Sequence, residues 1–128
     1  MKPILMLVDD DPGILSALKR VLRREGYELL TQDNGRSALD ELGTRRVDLV
    51  ISDYKMPAMN GIDLLEEVAR RWPGTARILL SGWSSEIPTE KLVAARLHAL
   101  RSKPWDEDEL KQSIRAALAA GSSSGSSS

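Results

Sequence analysis

Apolar positions along this chain alternate between two patterns. Short, nearly unbroken apolar runs at Ile4–Val8, Tyr27–Thr31, Val47–Ser52 and Ala76–Leu80 predict strands buried on both faces, with Glu28 tempering the second. Between them, apolar residues recur at helical spacing. Ile14, Leu15, Leu18, Val21 and Leu22 follow an Asp11-Pro12 start and run toward a stop at Gly26. Ala38, Leu39 and Leu42 follow Asn34-Gly35, and Ile62, Leu65, Val68, Ala69 and Trp72 end at Pro73-Gly74. Thr89–Leu97 predicts a weaker helix and Ala99–Arg101 a short fifth strand. Asp106 and Glu109 have capping-box spacing ahead of a last helix that carries Leu110, Ile114, Ala117 and Leu118. Five strand–helix repeats with short connections imply an α/β domain: a parallel sheet with helices on both faces.

The repeats occupy residues 1–120, and the Gly/Ser run 121–128 predicts an unstructured linker or tail. A chain of 128 residues, 41% hydrophobic and 29% charged, suits one soluble domain with a real core. The net charge of −1 offers no bulk attraction to nucleic acid or anionic membrane. With no Cys, disulfides and thiolate metal sites are excluded. No apolar run reaches the roughly 18–20 residues of a membrane span, and the N-terminus does not read as a secretory signal, so a cytoplasmic location is expected.

The chemistry gathers at strand ends. Asp9 and Asp10 end the first strand, Asp53 follows the third, Ser81 the fourth and Lys103 the fifth. In an open parallel sheet, the ligand crevice lies at those carboxyl ends. If the first and third strands are neighbours, three carboxylates converge. Hard oxygen ligands in one place suit a divalent cation, and Mg²⁺ accepts one or two carboxylates plus water and phosphate oxygens. Taken singly, each residue has a plainer reading: Asp11 caps a helix, Asp53 opens a turn, Lys103 sits beside a rigid Pro104. It is their shared end of the sheet that points to a site.

The stretches "ILMLVDDDPGI", "DLVISDYKMPAMNGIDLL", "ILLSGW" and "SKPWDEDEL" resemble the receiver domain of bacterial two-component response regulators over Lys2 to Ala120. The resemblance implies a flavodoxin-like (βα)5 doubly wound parallel sheet, strand order 2-1-3-4-5. It implies that Asp53 is the phosphoacceptor, with Asp10 holding Mg²⁺ directly, Asp9 largely through water, and Lys55 through its backbone carbonyl. Ser81 then matches the switch hydroxyl, and Lys103 the lysine that contacts the phosphoryl group, usually with a cis peptide to the next proline. The implied partners are a sensor histidine kinase or phosphotransfer protein and an effector, with no direct nucleic-acid or membrane contact. The output domain is expected outside this chain, and a homodimer through the last helix and strand is one expectation.

Some positions depart from the pattern. Leu100 stands where many receivers carry an aromatic residue, and it is expected to pack in the core. Trp83, two residues after Ser81, is expected to shield the phosphoryl group from water or to serve as an exposed partner contact. Gly82 is expected to leave space beside Asp53, His98 to lie on the surface, and Trp105 to pack near the last helix. Other readings are a flavodoxin-like cofactor module, a Mg²⁺-dependent phosphohydrolase, and a pseudo-receiver that binds protein without phosphorylation. The acidic first loop opposes the first, Lys55 in place of a second carboxylate the second, and the intact acidic set the third.

Overall fold

The computed structural model describes residues 2–82 and 87–126, with residues 121–126 as backbone only. The chain runs β1 (Ile4–Val8), α1 (Pro12–Leu22), β2 (Glu28–Gln32), α2 (Gly35–Leu42), β3 (Leu49–Asp53), α3 (Gly61–Arg71), β4 (Ala76–Ser81), α4 (Thr89–Ala95), β5 (Ala99–Ser102) and α5 (Glu107–Ser126). All strand pairs are parallel, in the order β2-β1-β3-β4-β5. The expected fold class and strand order are both observed.

The near-continuous apolar strands follow from a sheet covered on both sides. On one face Leu5, Leu7, Leu49, Ile51, Ile78 and Leu80 pack with α1 and α5 through Leu18, Leu22, Leu110 and Ile114. On the other, Met6, Val8, Val50 and Leu79 pack with α2, α3 and α4 through Ala38, Leu42, Leu65, Val68 and Ala95. Central β3 and β4 are buried along their whole length, whereas edge strands β2 and β5 are half exposed. Glu28 is tolerated because β2 lies at an edge, where its carboxylate pairs with Arg45 at 2.9 Å.

Helix starts follow local capping chemistry. Asp11 accepts a hydrogen bond from the Gly13 N–H, Asn34 from the Ser37 N–H, Asn60 from the Asp63 N–H and Asp106 from the Glu109 N–H. Several boundaries differ from expectation. The first helix ends at Leu22, and Gly26, with φ +85°, takes the turn that leads into β2. β3 starts at Leu49 and includes Asp53, while α4 stops at Ala95 with Arg96 in the left-handed region. α5 carries helical backbone to Ser126, beyond the Ala120 at which the pattern ends the domain.

Candidate functional site

Parallel register brings the ends of β1, β3, β4 and β5 level. Val8 pairs with Ser52, Asp53 with Leu80, and Ser81 with Ser102. Asp9, Asp53, Ser81 and Lys103 therefore emerge side by side. Each of Asp9, Asp10 and Asp53 offers a carboxylate oxygen within 4.8 Å of the others. Asp9 is 1% and Asp53 7% exposed, while Asp10 faces solvent.

Lys103 comes in from the far side of the sheet. Its Nζ lies 3.0 Å from Asp53 Oδ1 and donates to Asp9 Oδ2 at 3.2 Å. The Lys103–Pro104 peptide is cis. A second oxygen of Asp9, Oδ1, accepts the Asp11 N–H at 2.9 Å, and the Asp9 N–H donates to the Gln32 carbonyl, so Asp9 is fixed at both ends.

The charges do not balance locally. Burial raises the Asp9 carboxyl pKa, and the neighbouring Asp53 charge adds to this against the Asp11 N–H and Lys103. For Lys103, burial on its own favours the neutral amine, but the hydrogen bonds and charges of Asp53 and Asp9 outweigh it and the net shift is upward. One ammonium facing three carboxylates leaves an anionic basin of hard oxygen donors. That donor set, with no sulfur or imidazole in it, fits Mg²⁺.

A cleft of ≈ 310 Å³ opens beside Asp53, lined also by Tyr54, Lys55, Ser81, Gly82 and Lys103. Ser81 is buried at the end of β4, and Lys55 is exposed at the rim. Among the described residues, a Cβ built at Gly82 would meet the Lys103 carbonyl alone, at 3.5 Å, an ordinary contact. The structure thus brings together every site residue expected from the sequence. Trp83 lies outside the described residues. Leu100 packs half-buried on the α3–α4 side of the core, and Trp105 on the α1–α5 side. His98 is exposed as expected, but its Nδ1 accepts the Arg77 backbone N–H at 3.1 Å, a structural contact that sequence reading did not foresee.

Two neighbours of Asp53 also escaped the sequence. Ser52, fully buried, donates from its hydroxyl to the Asp53 carbonyl at 2.9 Å. Asn60 and Gly61 are the cap and first residue of α3, and a Cβ at Gly61 would lie 2.0 Å from the Asp53 carbonyl oxygen. Only glycine lets the helix start against that backbone. A hydroxyl closing an otherwise apolar run, directly before an acidic residue, was the available signal for Ser52.

The comparisons with known proteins agree with this geometry. The model of the response regulator receiver domain matches residues 5–115. The chain is 39% identical over 114 residues to the transcriptional regulatory protein GlrR of Escherichia coli (strain K12), covering 89% of this chain and 26% of that protein. It therefore spans about a quarter of the length of that regulator. The crystal structure of the signal receiver domain of an HD domain-containing protein from Pseudomonas fluorescens Pf-5 superposes with a TM-score of 0.87 at 34% identity, over 96% of this chain and 99% of that one. The response regulator TrrA from Thermotoga maritima, in complex with Mg²⁺ and BeF, superposes with a TM-score of 0.81 at 33% identity, over 90% and 97%. Among the described residues no helix is long and apolar enough to cross a membrane. With the family model covering most of the chain, Asp53, Ser81 and Lys103 lining one cleft and the acidic pair gathered against Asp53, the chain belongs to the response regulator receiver domains.

Proposed function

We propose that Asp53 takes a phosphoryl group from a phosphohistidine on a sensor histidine kinase or phosphotransfer protein, and that the phosphorylated state regulates an effector. The observation that carries this reading is the convergence of three carboxylates within 4.8 Å, one of them 3.0 Å from a lysine ammonium. An Asp53 carboxylate oxygen attacks phosphorus, the P–N bond to the donor imidazole breaks, and the imidazole leaves with the electron pair and takes up a proton. The product is an acyl phosphate on Asp53.

Each neighbour has a task in that step. Asp10 directly, Asp9 largely through water, Asp53 and the Lys55 backbone carbonyl would hold Mg²⁺, which when bound offsets the negative charge on the phosphoryl oxygens. Lys103 neutralises charge on the opposite side and exchanges its contact with Asp53 for one with the phosphoryl group. Ser81, at the cleft wall, donates its hydroxyl to a phosphoryl oxygen once that oxygen is present, so the end of β4 senses the modification. With Leu100 packed in the core, that signal reaches α4 without an aromatic relay in β5. The domain is a regulatory phosphoacceptor that assists its own phosphorylation and dephosphorylation. It acts in the cytoplasm, as a monomer or as a homodimer through the last helix and strand.

The test is incubation with acetyl phosphate and Mg²⁺, followed by intact-mass measurement. One acid-labile phosphoryl adduct is expected on the wild type, none on Asp53→Asn, and none on the wild type after chelation of Mg²⁺. An adduct of equal yield on Asp53→Asn would refute the assignment.

A further inference from the structure

The peptide after Asp53 is held unusually tightly. Ser52 is the penultimate residue of β3, on the same face of the strand as Val50 and turned toward α3. It is fully buried, and its hydroxyl donates to the Asp53 carbonyl at 2.9 Å. The same hydroxyl lies 2.9 Å from where a Gly61 side chain would begin, so it fills the gap between the end of β3 and the first turn of α3. Just beyond, the Tyr54 N–H donates to the Leu80 carbonyl at 3.0 Å and the Tyr54 carbonyl accepts the Gly61 N–H at 2.8 Å. The backbone from Ser52 to Tyr54 is thus fastened to α3 and β4 at once.

We infer that the Ser52 hydroxyl is a positioning group for the phosphoacceptor: by fixing the Asp53 carbonyl it aims the Asp53 carboxylate at Lys103 and the acidic pair. This rests on the function proposed above and adds to it a residue that touches neither donor nor metal. The carboxylate is only two bonds from the held backbone, and Asp53 Oδ1 must stay near Lys103 Nζ while the residue lines the cleft. Without the Ser52 hydroxyl, the Asp53 peptide keeps, among the described residues, only the Tyr54 N–H bond to Leu80, so the last residue of the strand can tilt and the carboxylate tilts with it. Residues that orient metal ligands or reacting groups from behind characteristically cost about 10–100-fold when removed. Here the lever is one neutral hydrogen bond, so the lower end of that range applies.

The experiment compares Ser52→Ala with Thr75→Ala. Thr75 carries the matching buried hydroxyl at the opposite end of the sheet, where it donates to the Val47 carbonyl at 2.8 Å, far from any carboxylate of the site. Each protein is titrated with Mg²⁺ alone, followed by the backbone amide shifts of Asp10 and Asp53. Each is then assayed for its rate of phosphorylation by acetyl phosphate, and for its melting temperature. Both variants are expected to melt lower by similar amounts. Only Ser52→Ala is expected to weaken Mg²⁺ binding and slow phosphorylation, each by about tenfold. Ser52→Cys, of similar size and with a weaker donor, is expected to fall between, and serves if Ser52→Ala does not fold. Equal Mg²⁺ affinity and equal rate in the wild type and the Ser52 variants overturn the inference while leaving the phosphoacceptor reading standing. A wild type that neither binds Mg²⁺ nor takes a phosphoryl group removes both.

Discussion

The two ends of the sheet use their polar groups differently. At the amino ends of the strands, polar side chains are directed at backbone. Asp48 Oδ2 accepts the Ile4 N–H at 2.7 Å, Thr75 donates to the Val47 carbonyl, and His98 Nδ1 accepts the Arg77 N–H. Arg77, 4% exposed, donates to the carbonyls of Pro73, Thr75, Ala95 and Arg96. At the carboxyl ends, Asp9, Asp10, Asp53 and Lys103 are directed at one another, with three negative charges against one positive. Groups paired with backbone fix the fold and have little left to offer a ligand. Groups crowded with like charge are in a poor state alone and improve when a cation and a phosphoryl group arrive. The same sheet therefore carries a finished end and an unfinished one, and the unfinished end does the chemistry.

The strongest way to break this comparison is at the finished end. Among the described residues Arg77 has no carboxylate partner: its guanidinium ties the last turn of α4 to the start of β4 through carbonyls. Burial lowers its pKa, and the nearby Arg96 charge adds to that, so the site accepts the cation at a cost that the carbonyls offset. Arg77→Met keeps much of the volume but leaves those carbonyls without their donor. Charge-assisted hydrogen bonds of this kind put the expected loss at about 3 kcal/mol in urea unfolding. The rate of phosphorylation by acetyl phosphate is expected to stay within about twofold, because no group of the acidic basin moves. A loss of phosphorylation as large as the loss of stability would show that the two ends are not separable.

Gly61→Ala sharpens the comparison at the place where structure and chemistry touch. The added methyl would press on the Asp53 carbonyl oxygen and carbon, both backbone atoms that cannot swing aside. Overpacking of this kind costs about 1–3 kcal/mol. Unlike Arg77→Met, this change is expected to slow phosphorylation as well, since the displaced backbone carries the acceptor carboxylate. Parallel unfolding and phosphorylation measurements on the two variants separate the cases: one loses stability alone, the other loses both.

How much of this could be read from sequence follows the same division. The unfinished end was legible because its residues, plain when taken singly, recur at the same end of successive strands: Asp9 and Asp10 closing an apolar run, Asp53 after another, Lys103 before a proline. Their unfavourable environments are visible as breaks in pattern. The finished end was not legible. Arg77 sits inside the run "ARILL", and what satisfies it is main-chain carbonyl from residues 73, 75, 95 and 96, which leaves no mark in the identity of those residues. Ser52 and Gly61 were hidden in the same way, because they act on backbone through size and a single hydroxyl. Element boundaries moved for a related reason. Arg96 takes a left-handed conformation that ends α4 before Leu97, an arrangement set by the Arg77 contacts rather than by local preference.

The smallest expected effect belongs to His98, and it probes the finished end by pH. Although His98 reaches the surface, partial desolvation of its ring lowers its pKa below 6.5, and the Arg77 charge adds to the shift. The contact acts in the same direction: Nδ1 accepts the Arg77 N–H, and an Nδ1 that carries a proton cannot accept there. A histidine that resists protonation in the folded state binds fewer protons than it does in the unfolded chain. Its contribution to stability is therefore fully present above 6.5 and is lost as pH falls below that value toward the lower pKa of the folded state. His98→Asn keeps a carbonyl oxygen for the Arg77 N–H but does not titrate. Urea unfolding from about pH 7 down to about pH 5 lies above the range in which ordinary carboxylates protonate, and the raised Asp9 carboxyl is common to all variants, so the difference between them isolates this group. The wild type is expected to lose stability across that interval and His98→Asn to lose less of it, while Arg77→Met, which leaves the Arg77 N–H in place but removes the opposing charge, is expected to show an intermediate slope. Identical slopes for all three would mean that His98 is protonated without penalty, and that this corner of the finished end is as open to change as the acidic one.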